Sequence, residues 1–256
     1  MKVAILAGGL GTRLSEETTV KPKPMVEIGG RPIIWHIMKI YASYGFNEFV
    51  VALGYKGELI KDYFINYFYR SRSLTVSLRN GEVKIHNADS EDWTVHLLDT
   101  GQNTQTGGRV KRVSQFIGNE PFMLTYGDGV CNLNIDQLLQ FHHSHGKYAT
   151  ITAVRPPARF GQMVFDGQRV KHFEEKAQIG EGWINGGFFV LQPEITKYID
   201  GDLTLWEREP LEALAADGQL IAYQHDNFWH CMDTLRDVVS LEKFWSEGNA
   251  PWKIWA

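Results

Sequence analysis

Short, nearly continuous apolar runs recur along this chain at Met1–Leu6, in EFVVAL, at Phe122–Tyr126 and in YATITAV, the pattern of strands covered on both faces of a sheet. Between the first runs, PIIWHIMKIYASYG and GELIKDYFINYFY place apolar residues at helical spacing. The spacing predicts a helix over Ile33–Ser43, opened by Pro32 and closed by Gly45 just beyond it, with Trp35, Ile37 and Ile40 in the core. Strand and helix signals in alternation predict an α/β fold with a doubly wound, mixed but mostly parallel sheet.

The remainder follows the same rhythm with more interruptions. Ser73–Leu98 carries short strands broken by polar residues, and the turn-rich Asp99–Gly108 segment leads into a helical run. A helix is predicted over Ile135–His145, a hairpin around Asp166-Gly167, a return strand in EGWINGGFFVLQPEI and a helix over Leu203–Ala216. IAYQHDNFWHCMD reads as one strand approaching Asp233, followed by a helix over Thr234–Trp245 with Leu235, Val238, Val239 and Leu241 on a shared apolar side. Trp252, Ile254 and Trp255 in the tail are costly to leave in water, so 241–256 is expected to pack on the body or on a neighbouring subunit. With no internal repeat and no long linker, residues 1–256 are expected to form a single domain.

Composition narrows the classes. Twenty-six Lys and Arg against 30 Asp and Glu give a formal charge of −4, which argues against a surface held to nucleic acid by general phosphate attraction. No run of about 18 apolar residues occurs, and a core-like strand starts at once after Met1, so no membrane span or secretion signal is expected and the cytoplasm is the expected compartment. The two cysteines, Cys131 and Cys231, have no metal-ligand spacing and are expected to be reduced.

Candidate chemistry starts in LAGGLGTRLSEETTVKPKPM. Glycines 8, 9 and 11 follow a buried strand and let main-chain N–H groups approach a phosphate, while Arg13 and Lys23 supply a rigid fork and a mobile point charge to balance it. A tight turn is the alternative reading of this segment alone. The pattern lacks the Lys-Ser/Thr ending of a P-loop and does not match the G-x-G-x-x-G spacing. Asp128, between Gly127 and Gly129, and Asp233 each follow a strand signal where a parallel sheet opens its crevice, and together they suit Mg²⁺. Either one alone is more often a turn or helix cap than a metal ligand. Glu174, Glu175 and Lys176 form a polar cluster fitted to a sugar phosphate or a charged surface, and Asn185-Gly186-Gly187 permits close approach to a small ligand or a tight strand bend. His142, His143 and His145 read as a polar helix end.

LAGGLGTRL with KPKPM, then YGDG and the late CMDT, in that order, resembles the sugar-1-phosphate nucleotidyltransferase family over essentially the whole chain. Within it, FHHSHGKYATITAVRPPARFG, FEEK, WINGGFFV and FWHCMDT look most like the branch that transfers a cytidylyl group. The resemblance implies a Rossmann-like nucleotidyltransferase core that joins CTP and glucose 1-phosphate into CDP-glucose and pyrophosphate. It implies a mainly nucleotide-binding portion over 1–130 and a mainly sugar-binding portion over 131–240. Leu6, Ala7, Gly8, Gly9, Leu10, Gly11, Thr12, Arg13 and Lys23 would then hold the nucleotide, Thr104, Gly108 and Arg109 the base, and Glu174, Lys176, Asn185, Gly186 and Gly187 the sugar. Asp128 and Asp233 would hold Mg²⁺, with Arg13, Lys23 and Asp128 at the reaction. NTQTGGRV departs from the glutamine and G-x-A found in many relatives, which fits a cytosine-specific branch. The resemblance also implies a homo-oligomer, a hexamer first. A CDP-glucose dehydratase would take the product toward dideoxyhexoses of lipopolysaccharide O-antigen. The competing enzyme reading is a uridylyl- or thymidylyltransferase, and the non-enzymatic one a nucleotide-sugar sensor.

Overall fold

The computed structural model describes residues 1–9, 11, 14, 18–70, 72–86, 91–156, 162–174 and 182–255, with the backbone alone described at 162–166 and 172–174. Along the chain the strands are β1 (Val3–Leu6), β2 (Glu27–Ile28), β3 (Arg31–Pro32), β4 (Glu48–Leu53), β5 (Ser73–Val76), β6 (Val83–His86), β7 (Thr94–Asp99), β8 (Phe122–Tyr126) and β9 (Gly129–Cys131). They continue as β10 (Ala149–Val154), β11 (Gln162–Asp166), β12 (Arg169–Glu174), β13 (Ile184–Leu191), β14 (Leu220–His225) and β15 (Trp229–Cys231). The helices are α1 (Ile33–Ala42), α2 (Gly57–Ile65), α3 (Tyr67–Arg70), α4 (Thr106–Ile117), α5 (Ile135–His145), α6 (Glu209–Ala216) and α7 (Leu235–Ser246).

Among the described residues, one seven-stranded sheet runs in the order β14-β10-β13-β8-β1-β4-β7. Its pairings are parallel except where β13 lies between β8 and β10, against the direction of both. The mostly parallel sheet expected from the apolar runs is therefore present. Side chains alternate along its central strands: Val3, Ile5, Phe49 and Val51 enter one core, Ala4, Leu6, Val50 and Ala52 the other. Ile34, Ile37, Met38 and Tyr41 of α1 cover the first face, and Val110, Val113 and Ile117 of α4 cover the second. Each fully buried Ile, Leu or Val side chain contributes about 1.5–3 kcal/mol, which is why the short runs hold as strands.

Several boundaries are set by identifiable residues. Pro32 is extended before α1, and Gly45 follows it at φ 82°, a left-handed turn that costs glycine little. Asn134 Oδ1 accepts from Gln137 N at 3.0 Å to cap α5, which stops at Gly146 with φ 61°. α4 starts two residues before Gly108 because Gln105 N and Gly107 N donate to the main-chain carbonyls of Asp202 and Thr204. A Cβ on Gly108 would lie 2.7 Å from Asp202 Cα, so glycine lets the helix start lie on that segment.

Other expectations change. The helix foreseen over Leu203–Ala216 begins only at Glu209, because the 202–206 segment gives its backbone groups to the start of α4 and Pro210 suits a first turn. The single strand foreseen toward Asp233 is two, β14 in the main sheet and β15 paired with β9. On α7, Leu241 is buried but Leu235 and Val239 are exposed, so the four apolar residues do not share one face. His142 is no solvated helix end: it is buried, bonded to Thr150 Oγ1 at 2.8 Å and to Gln192 Nε2 at 2.8 Å. The tail docks on its own chain, where Trp252 stacks on Phe228 and Trp245.

Candidate active site

β1 and β8 are parallel neighbours, so the turns that follow them, Ala7-Gly8-Gly9 and Gly127-Asp128-Gly129, emerge side by side at the carboxyl edge of the sheet. β13 enters at that edge because it runs the other way, which brings Asn185, Gly186 and Gly187 to the same place. A cavity of about 1080 Å³ opens there, large enough for a nucleotide with a sugar.

Arg109 fixes one wall. Its guanidinium donates to Leu53 O at 2.8 Å, to Thr100 Oγ1 at 2.6 Å and to Gly8 O at 3.1 Å, and it is buried. A Cβ on Gly8 or on Gly54 would fall 2.4 or 2.5 Å from that guanidinium, so both glycines make room for the cation. Burial pulls the Arg109 pKa down from its ordinary value, yet both terminal nitrogens of the guanidinium meet oxygens. The Gly8 carbonyl, which also accepts from Tyr55 N at 3.2 Å, is thus tied into the cavity wall. Thr104 is buried in the adjacent wall, and Gly9, without neighbours around its missing Cβ, is exposed.

Lys23 lies between the two carboxylates. Its Nζ donates to Asp128 Oδ2 at 2.6 Å and to Asp233 Oδ1 at 2.5 Å, joining residues 105 and 210 positions away. Three local features produce this convergence. Proline on each side of Lys23 shapes the short turn Lys23–Met25, β9 pairs with β15, and Met232 N donates to Asp128 O at 2.8 Å. Asp237 Oδ2 accepts from Asp233 N and Thr234 N, holding the second loop at the start of α7. Burial, the largest influence, lowers the Lys23 pKa, but the charges of Asp128 and Cys231 and the hydrogen bonds to Asp128 and Asp233 together outweigh it, and the ammonium is held well above its usual range. Two carboxylate oxygens already gathered on one cationic point, with few other protein donors, fit Mg²⁺; Cys231 Sγ lies in the same cluster.

Another part of the cavity wall is a polar chain. Tyr126 Oη donates to Glu207 Oε1 at 2.8 Å and accepts from Asn185 Nδ2 at 3.2 Å, while Thr106 Oγ1 donates to Glu207 Oε2 at 2.6 Å. Burial, then the neighbouring Glu207 charge, keeps the Tyr126 phenol protonated. Gly187, at φ 80°, would drive a Cβ to 2.5 Å from the Tyr126 ring.

The cavity wall therefore includes Leu6, Ala7, Gly8, Gly9, Gly11, Lys23, Thr104, Arg109, Asp128, Asn185, Gly186, Gly187 and Asp233. Gly108 instead approaches the Asp202 main chain. Leu10, Thr12, Arg13 and Lys176, and the side chain of Glu174 at the end of β12, lie outside the described residues. Tyr126 and Glu207 escaped the sequence reading. Tyr126 is marked by its place just before Gly127-Asp128, whereas Glu207 carries no local signal and lines the cavity bonded to Tyr126 and Thr106.

A family model described as nucleotidyl transferase matches residues 2–249. The chain is 52% identical over 256 residues, all of both chains, to glucose-1-phosphate cytidylyltransferase of Salmonella typhi. It is 33% identical over 246 residues to the mannose-1-phosphate guanylyltransferase catalytic subunit beta of Dictyostelium discoideum, covering 94% of this chain and 63% of that one. Among solved structures, UDP-glucose pyrophosphorylase complexed with UDP-glucose superposes with a TM-score of 0.67 at 17% identity, over 96% of this chain and 98% of the other, a likeness of fold.

Proposed function

The chain belongs to the nucleotidyl transferase family, and from that premise we propose that it transfers the cytidylyl group of CTP to α-D-glucose 1-phosphate, giving CDP-glucose and pyrophosphate. The full-length likeness to the Salmonella cytidylyltransferase carries the choice of substrates. The convergence of Lys23, Asp128 and Asp233 beside the glycine turn supports the chemistry.

In this reaction a phosphate oxygen of glucose 1-phosphate forms a bond to the α-phosphorus of CTP as the bond to pyrophosphate breaks. Both partners bring phosphate oxygens that are anionic at neutral pH, so neither a covalent enzyme intermediate nor a general base is required; positioning and charge neutralisation suffice. The turn at Ala7–Gly11 cradles the triphosphate with main-chain N–H groups, and Arg13 balances the leaving pyrophosphate. Lys23 screens the reacting phosphate, and Lys176 clamps the sugar phosphate. Asp128 and Asp233 hold Mg²⁺, which when bound draws charge from phosphate oxygens. Thr104 and Arg109 shape the base side, with Gly108 seating the start of α4 on the Asp202 main chain behind them, and Glu174 with Asn185, Gly186 and Gly187 the sugar side. Residues 1–130 then serve mainly the nucleotide and 131–240 mainly the sugar, with 241–256 as packing.

A cytoplasmic setting follows from nucleotide and sugar-phosphate substrates, and no helix among the described residues is long and apolar enough to cross a membrane. A dehydratase would consume the CDP-glucose on the way to O-antigen dideoxyhexoses. Exposed Leu74, Val76, Leu78, Val83 and Ile85 on and around the β5–β6 hairpin support a homo-oligomer, with a hexamer proposed; sedimentation as a monomer alone would exclude it.

The deciding assay follows pyrophosphate release from CTP, UTP and dTTP with glucose 1-phosphate at matched Mg²⁺. CTP presents an amino donor where UTP presents a carbonyl, so a pocket with an acceptor there is mismatched to uracil. CTP should be used with clearly higher kcat/KM; equal efficiencies would reject the cytidylyl reading while sparing the family.

A further inference from the structure

Cys231 ends β15 two residues before Asp233 and pairs across the ribbon with Gly129, the neighbour of Asp128. Its Sγ and one oxygen from each of Asp128 and Asp233 all lie within 4.8 Å of one another. One small divalent cation spans nearly that distance: bonds of about 2.0–2.2 Å to oxygen and about 2.3 Å to sulfur place opposite ligands at most about 4.5 Å apart. Three ligands of one ion cannot all stand opposite one another, so closing the cluster draws the three atoms closer together and displaces the Lys23 ammonium from between the carboxylates. The Lys23 ammonium, bonded at 2.6 and 2.5 Å to the same carboxylates, marks the point where positive charge is already gathered. Glycine opposite Cys231 brings no side chain into this space, whereas Cys131, on the partner strand, is sealed in the core.

We propose that Cys231 is a third protein ligand at this centre, giving an oxygen, oxygen, sulfur donor set that binds thiophilic divalent ions such as Co²⁺, Zn²⁺ and Cd²⁺ through a direct metal–sulfur bond and takes Mg²⁺ through oxygen alone. The inference rests on the reading of Asp128 and Asp233 as cation ligands. As the metal–sulfur bond forms, the thiol proton leaves to solvent. Soft ions gain from sulfur and hard ones do not, so Cys231 sets which metals the centre retains.

Titrating Co²⁺ into the chelator-treated full-length chain tests this by absorption. Wild type should show an intense near-ultraviolet sulfur-to-cobalt band saturating at one ion per chain. Cys131→Ser should keep it. Cys231→Ser and Cys231→Ala should lose it while retaining the weak visible bands of cobalt held by oxygen, and Cd²⁺ affinity should fall at least about tenfold in Cys231→Ala with Mg²⁺ affinity little changed. A wild type that binds Co²⁺ without the sulfur band, that fails to bind it, or a band surviving in both Cys231 variants would overturn the proposal. Undiminished Co²⁺ binding in Asp128→Asn and Asp233→Asn would instead overturn the carboxylate reading beneath it, and the proposal with it.

Discussion

Arg109 shows how a residue that the sequence singles out can still have its contacts hidden. Its position after the Asp99–Gly108 turn marks it as a ligand-side residue, but its hydrogen bonds run to Leu53, 56 residues away, and to Gly8, 101 residues away. No local pattern encodes those partners. Removing the side chain strips a charged donor from buried acceptors and leaves the Gly8 carbonyl held by Tyr55 N alone. Arg109→Ala should cost about 1.5–3 kcal/mol of stability and lower kcat/KM for CTP by at least about tenfold, the equivalent of about 1.4 kcal/mol at the transition state. Urea unfolding and initial rates on the same preparation check both. Full activity in a folded variant would show that the glycine turn holds its shape without the guanidinium. Gly54→Ala gives an independent probe, because its Cβ would displace the same guanidinium without removing it.

At the scale of elements, the ends of strands were more legible than their partners. Gly-Asp-Gly after β8 and the aspartate before the Thr234 cap stand out in sequence as exposed carboxylates, and both line the cavity. That Asp128 and Asp233 face the same lysine depends on the β9–β15 ribbon, whose two three-residue strands are too short and too distant in sequence to carry a pairing signal. The error on α7 has a related cause: apolar residues at helical spacing specify a face only if another element covers it, and Leu235 and Val239 are left exposed. Asp237 couples that helix to the site. Its carboxylate completes the capping box with Thr234 and accepts from Asp233 N at 3.1 Å. Asp237→Ala should therefore destabilise the chain by about 1 kcal/mol, as lost caps do, and reduce turnover more than the stability loss explains, because the Asp233 loop loses its anchor. Measuring Mn²⁺ binding by electron paramagnetic resonance separates the two effects. Unchanged metal affinity and turnover alongside the stability loss would confine Asp237 to a capping role.

Across the whole molecule, the mostly parallel sheet was legible in the apolar runs, whereas its strand order was not, and the C-terminal segment closes over one buried imidazole. His36 is fully buried among Trp35, Trp245, Trp252 and Trp255. Its Nε2 lies 2.8 Å from Ile28 O, which can only accept, and its Nδ1 lies 3.4 Å from Trp252 Nε1, which can only donate. The partners therefore select the neutral ring with the proton on Nε2. A second proton would set N–H against N–H, and burial holds the pKa down from 6.5 to about 4. Because the folded form resists protonation, the stabilisation is intact above pH 6.5. It is lost as acid protonates the unfolded chain first, at about 1.4 kcal/mol per pH unit and about 3 kcal/mol in all by pH 4. Urea midpoints should accordingly fall between pH 7 and pH 5. His36→Gln, which can satisfy both partners with an uncharged amide, should show a shallower fall. Buried His142, also held down to about 4, leaves a residual slope in both proteins. Trp252→Ala gives the contrasting case, a loss of about 3–5 kcal/mol at neutral pH from the cavity it creates, together with a shallower slope because water then reaches the imidazole. Parallel acid profiles for wild type and His36→Gln would remove His36 as the origin of the acid sensitivity, even if the tail remains docked.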